Sequence, residues 1–96
     1  MKTDPVISSL HTALARRLEI DFKVGGAPVT MRPHVLYIAK DGNLMVAGTV
    51  GSIPVARVLV GQIHDLQISP RYFQPDPAFD FSDSEYNQPA TIVARI

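Results

Sequence analysis

Four residues in the first two-thirds of the chain have the types and spacing to recognise an anion: Arg32, His34, Tyr37 and Arg57. A guanidinium presents a planar fork of donors to a carboxylate or phosphate, and a neighbouring ring such as His34 or Tyr37 can stack a base. The competing reading is internal. In it, Arg32 and Arg57 pair with the acidic residues further along the chain, Asp76, Asp80, Asp83 and Glu85. Other chemistries find little support. His11, His34 and His64 are too scattered for a spacing-based zinc motif, and the chain has no cysteine. As neighbours of apolar strand residues, His34 and His64 are expected to face solvent. Ser8, Ser9, Ser52 and Ser69 fall in helix-start or turn contexts, where hydroxyls serve the backbone, and no G-x-S-x-G is present. The late acids lack the spacing of a calcium loop and read as a solvated, turn-forming segment. "VGGAPV" and "AGTVGS" carry glycines but neither a P-loop lysine nor G-x-G-x-x-G. No catalytic residue, metal site or cofactor is therefore expected, and the protein is not expected to be an enzyme.

The bulk of the sequence sets the frame for those residues. Its 96 residues make a single domain with one modest core. No apolar run reaches the roughly 18 residues of a membrane span. "MKTDPVISSL" lacks the apolar core and cleavage site of a signal peptide. With cysteine absent, these features lead to the expectation of a cytoplasmic protein without membrane contact. The formal net charge is zero, which argues against a strong nonspecific nucleic-acid binder. The charges are unevenly spread, however. Residues 1–60 carry seven Lys/Arg and four Asp/Glu, while residues 61–96 carry two and five. A basic body with an acidic tail either binds anions on the body or lays the tail across it.

The elements that must position these groups begin with a helix over about residues 4–18. Asp4 suits its N-cap and Pro5 its first turn. Ile7, Leu10, Leu14 and Leu18 recur on one face, and Arg16 and Arg17 fall in the last turn. "EIDFKV" alternates as a strand, "GGAP" turns, and "VTMRPHVLYIAK" is a second strand region in which Pro33 marks an edge, bulge or bend. "KDGN" reads as a hairpin centred on Asp41-Gly42. "LMVAGTV", "VARVLV", the short "GQIHDLQIS" and a terminal "ATIVARI" follow as further strands. One helix before about five short strands predicts a mostly β domain, a small barrel over about residues 19–69, with Pro33 and Gly48 at its corners. Residues 69–88 hold Tyr72, Phe73, Phe79, Phe81 and Tyr86 among Pro70, Pro75 and Pro77. Neither a helix nor a regular strand is expected there. The rings predict a strap that plugs the barrel, while the rival reading makes the same rings anchors for a partner.

Taken in order, these pieces resemble a WYL domain, the small Sm/SH3-like β-barrel module found mostly in bacterial transcription regulators. "VISSLHTALARRLEIDFKVGG" is similar to the family's lead-in helix and first strand. "VTMRPHVLYIAKDGNLMVAG" matches the next segment, with Pro33, Leu36 and Gly42 in register. "VARVLVGQIHDLQIS" resembles the later strand pair, with Ile63 and Leu66 in register, and "RYFQPDPAFD" resembles the proline-containing stretch that follows. Asn43, Leu44 and Met45 occupy the three positions that give the family its name. Val29, Ala56 and Gln62 stand where the family carries arginines, with Arg57 adjacent to one of them.

The resemblance implies a non-catalytic regulatory module that senses an anionic or nucleotide-like ligand and acts with a transcription regulator. The chain shows no helix-turn-helix, so direct sequence-specific reading of DNA is not expected. The alternative is a structural or protein-interaction module, a homodimer or a partner-binding unit, working through a barrel edge or through the aromatic strap.

Overall fold

The fold follows from where the chain is forced to turn. In the computed structural model, which describes residues 5–83, 85–86 and 90–96, α1 (Pro5–Arg16) buries Leu10, Ala13 and Leu14. Asp4, the expected N-cap, lies outside the described residues. Arg16 stands in the last turn, whereas Arg17 is already past it with φ of 56°. Its N–H still reaches the Leu14 carbonyl at 3.4 Å, closing the helix. Five strands follow without long loops: β1 (Leu18–Val24), β2 (Ala27–Ile38), β3 (Leu44–Val50), β4 (Ile53–Leu59) and, after a 3₁₀ turn at Val60–Gln62, β5 (His64–Tyr72). A sixth, β6 (Thr91–Arg95), closes the chain. All neighbouring strands are antiparallel.

The first hairpin turns on Gly25 and Gly26, both at positive φ, as a two-residue connection requires. The next differs from the expected Asp41-Gly42 centre. Gly42 N–H bonds the Ala39 carbonyl at 2.9 Å, so Lys40 and Asp41 are the central pair and Gly42, at φ 88°, takes the left-handed position after them. The Asp41 carboxylate accepts the Asn43 amide hydrogen at 3.0 Å, which favours this longer turn.

Strand β2 organises the rest. Its ladder to β1 ends at Met31, and its ladder to β3 begins at Arg32. Pro33 sits at this handover, opposite Gly48, which is the corner the sequence predicts. The strand order β4-β3-β2-β1-β5, with β6 added to β2, is an open path. No ladder joins β4 to β5 among the described residues, so in place of the expected closed barrel the ladders form a bent antiparallel sheet. The sheet also runs further than expected, since β5 continues through Pro70 to Tyr72. Because β5 ends the strand order, the missing proline donor is tolerated there.

Two apolar clusters fill the two faces of this sheet. Leu10 and Leu14 of α1 pack with Ile20, Met31, Leu36 and Val46 on one face. On the other, Val35, Tyr37 and Ala47 pack with Phe79 and Tyr86 of the segment after β5. The alternation Val35/Leu36/Tyr37 makes the division, because successive strand residues point to opposite faces. The aromatic segment is therefore a strap, and it covers a sheet face instead of plugging a barrel end. Phe73, Phe79 and Tyr86 are buried and Phe81 is half-buried, whereas Tyr72 is 78% exposed and belongs to the end of β5. Each buried ring contributes about 1.5–3 kcal/mol by the area it removes from water.

The corner supplies the first prediction. A Cβ on Gly48 would lie 2.9 Å from both Arg32 C and Pro33 Cα, backbone atoms that cannot swing away. Gly48→Ala should destabilise the protein by roughly 3 kcal/mol, the upper range of overpacking changes. A chemical-denaturation midpoint unchanged from wild type would show that the corner is not tight.

Candidate functional site

All four candidate residues lie on the strap-covered face of the sheet, and they fall into two pairs. One extra residue in β2 explains why His34 shares that face with Val35 and Tyr37. The β2–β3 register shifts between Pro33 and Val35, so His34 and Val35 together stand against one step of β3. Such a bulge turns two successive side chains towards the same face. Val35 packs with the strap cluster, and the His34 ring stacks on Phe79 at 4.7 Å and lies 5.4 Å from Phe73. The expectation that His34 faces solvent is thus wrong: it is fully buried. His64, by contrast, is exposed.

Both nitrogens of His34 are engaged. Nδ1 is 2.8 Å from the Arg32 carbonyl oxygen, which only accepts, so Nδ1 carries the proton. Nε2 accepts the Asp76 amide hydrogen at 3.0 Å. The ring is therefore a neutral imidazole with a fixed tautomer. Burial pushes its pKa below 6.5, and the bond to the Arg32 carbonyl opposes that shift without cancelling it. Arg32 does not pair with the acidic strap, as the internal reading would have it. Its Nε donates to Thr49 Oγ1 at 2.6 Å and its Nη2 to the Gly51 carbonyl at 3.0 Å, tying β2 to the β3–β4 turn. Beside it an open groove of about 500 Å³ runs between Thr49, Tyr72, Gln74 and Asp76.

The second pair fits the internal reading better. Arg57 stands opposite Ala47 in the β3–β4 ladder, and its Nε is 3.8 Å from Glu85 Oε1. The same carboxylate oxygen accepts from the Tyr37 hydroxyl at 3.4 Å. Burial, helped by the Glu85 charge, pushes the buried Tyr37 phenol up to about 12. Burial also raises Tyr86, while the nearby Arg57 charge pulls it back. The rings form a continuous row from Phe73 through His34, Phe79 and Tyr86 to Tyr37, whose ring meets Tyr86 edge-on at 4.9 Å. Phe81 packs against Phe79, and the Arg95 guanidinium lies 3.9 Å over its face, joining the row to β6.

Three aspartates shape the strap. Asp76, Asp80 and Asp83 accept the amide hydrogens of Ala78, Ser82 and Glu85, all at 2.9 Å. The Phe79 and Tyr86 amides close turns onto the Asp76 and Asp83 carbonyls. "DPAF" and "DSEY" are thus one device used twice: an aspartate-capped turn that delivers a ring three residues on. That spacing is the signal by which Tyr86 and Glu85 belong to the site. Among the described residues no group of three or more His, Asp or Glu side chains is gathered to hold a metal ion. Ser69 is in β5 rather than a turn, yet its hydroxyl serves the backbone as expected, accepting the Arg71 amide hydrogen at 3.1 Å.

No family model matches the sequence, and no curated protein matches it. A solved structure does match the fold: proteasome accessory factor B/C (PafBC) of Arthrobacter aurescens, with a TM-score of 0.65 at 14% identity. The match covers 78% of this chain and 13% of that one. At this identity the likeness is one of fold.

The buried imidazole carries a pH signature. Its pKa is lowered on folding, so just below pH 6.5 the unfolded chain binds more protons than the native one. The contribution of the neutral ring is complete above pH 6.5 and is lost as pH falls through its folded pKa. Denaturation midpoints at a series of pH values should fall below pH 6.5, and His34→Gln, which keeps an acceptor for the Asp76 amide, should flatten that fall. Equal slopes in the two proteins would contradict this assignment.

Proposed function

We propose that the chain is a non-catalytic, WYL-type sensing module that binds an anionic or nucleotide-like ligand and acts with a transcription regulator in the cytoplasm. Its bent sheet is read as an Sm/SH3-like curl. Three things support the reading. The order of helix, strands and strap resembles that of a WYL domain. The fold recurs as a small part of the much longer accessory factor, as befits a portable module. The third observation carries most weight: the strap face gathers Arg57, Tyr37, Arg32 and His34, and the Arg57 side chain remains 41% exposed. No described helix is long and apolar enough to cross a membrane.

The second reading, assembly through a sheet edge with a partner or a second copy, is favoured by one observation. Strands β4 and β5 end the strand order with no further strand beside them among the described residues. The version of that reading in which strap rings anchor a partner fits less well, because Phe79 and Tyr86 are already buried.

Calorimetric titration with mono- and oligonucleotides should give saturable heats. Arg57→Ala should weaken the binding about tenfold or more, as the loss of a charge-assisted hydrogen bond does. Flat traces with every anion, unchanged by the substitution, would count against the sensing reading.

A further inference from the structure

The second pair of candidate residues already holds an anion, and the anion belongs to the chain. Glu85 Oε1 sits 3.4 Å from the Tyr37 hydroxyl and 3.8 Å from Arg57 Nε. Resting on the sensing reading above, we propose that Arg57 and Tyr37 form an oxyanion subsite in which Glu85 is a built-in competitor, displaced by the carboxylate or phosphate of the true ligand.

Three observations lead there. The contacts of Glu85 are loose: both exceed the usual 2.7–2.9 Å of a charge-assisted bond, while Glu19 and Arg71 elsewhere on the surface meet at 3.0 Å. The Glu85 side chain is 38% exposed, so it can leave without unseating Phe79 or Tyr86. The neighbouring turn holds the backbone in place independently, since the Glu85 amide is bonded to Asp83 Oδ1 and the Tyr86 amide to the Asp83 carbonyl. Exchange therefore asks for one carboxylate to swing away, with the strap still seated.

The subsite also limits what the ligand is recognised by. Tyr37 is packed against Tyr86, and His34 against Phe79. Tyr37, His34 and Tyr86 are all buried. The rings that would stack a base are thus committed to one another. The ligand is read by its oxyanion, and the base of a nucleotide adds little.

The test is an NMR titration of wild type, Glu85→Gln and Arg57→Gln with inorganic phosphate, AMP, CMP and glutarate, following the Tyr37, Arg57 and Glu85 amides. Phosphate, AMP and CMP should bind wild type within about threefold of one another. Glu85→Gln should bind them about fivefold tighter, the upper range for releasing an exposed ion pair, and Arg57→Gln should lose them. Glutarate copies the glutamate side chain; removal of one competitor should raise glutarate and phosphate affinity by the same factor, the tighter binder of the two names the oxyanion as carboxylate or phosphate, and a gain confined to one of them would overturn the competitor. Glu85→Asp, which keeps the charge but shortens its reach, should move in the same direction and guards against a folding defect in the amide variant. Binding that depends on Arg57 but is unchanged by either Glu85 variant would overturn the competitor and leave the sensing reading standing. A strong preference for AMP over phosphate would overturn recognition by the oxyanion alone. No binding to any of the proteins would remove both the competitor and the sensing reading.

Discussion

A single extra residue in β2 determines what the second face of the sheet can be. Counted back from Leu36, strict alternation without the bulge at His34 would send that ring to the side of Leu36, into the apolar cluster beneath α1. An imidazole there would need partners for two nitrogens among aliphatic side chains, and an unmet buried donor or acceptor costs about 1–3 kcal/mol. The bulge turns it the other way. There the Arg32 carbonyl, from its own strand, accepts the Nδ1–H hydrogen bond, and the Asp76 amide donates to Nε2. The ring becomes the peg on which the strap hangs. Because Pro33 hands β2 from β1 to β3 immediately before it, the bend of the sheet and the seat of the strap share one cause.

Once the strap is pegged at Asp76, its remaining contacts follow from short-range chemistry. Each aspartate caps a turn, two of those turns deliver a buried ring, and Arg95 of β6 closes over Phe81. The acidic half of the chain is thereby laid on the basic half. Charge neutrality over the whole sequence is expressed locally in the pair formed by Glu85 and Arg57. Arg32 does not share in this, because Thr49 and the Gly51 carbonyl hold it within the sheet. One guanidinium serves the fold, then, and the other faces an exchangeable carboxylate. Of the two, Arg57 is the one available to a ligand.

Much of the architecture is legible in residue patterns. The helical spacing of Leu10 and Leu14, the alternation of "EIDFKV", the Pro33–Gly48 corner and the terminal strand all appear where periodicity and breaker residues put them. The ring-rich segment is likewise readable as a strap, because five aromatics beside three prolines leave few alternatives. What alternation cannot show is a bulge, since a one-residue shift flips a side chain without leaving a compositional mark. The bulge decides which face His34 shares with Val35, and the strap that covers that face is why a residue that looks surface-facing in the sequence is buried in the fold. Pro70 misleads for a related reason: it signals a break, yet an edge strand tolerates it. Closure of the sheet depends on long-range pairing between β4 and β5, which no local pattern reports. The four candidate residues were readable by type; their division into two pairs, and the occupancy of one pair by Glu85, required the register and the strap turns.

The seat of the strap rests on the bond between the Asp76 amide and the neutral His34 ring, and hydrogen exchange reads that bond directly. The Asp76 amide lies in an irregular segment, outside every sheet ladder, and at pH 7.5 it donates to His34 Nε2. It should nonetheless exchange slowly, with protection comparable to the β2–β3 ladder amides. An Asp76 amide that exchanges at the rate of an exposed loop, while the ladder stays protected, would mean that the strap is not pegged to the sheet, and the proposed site would have no fixed wall.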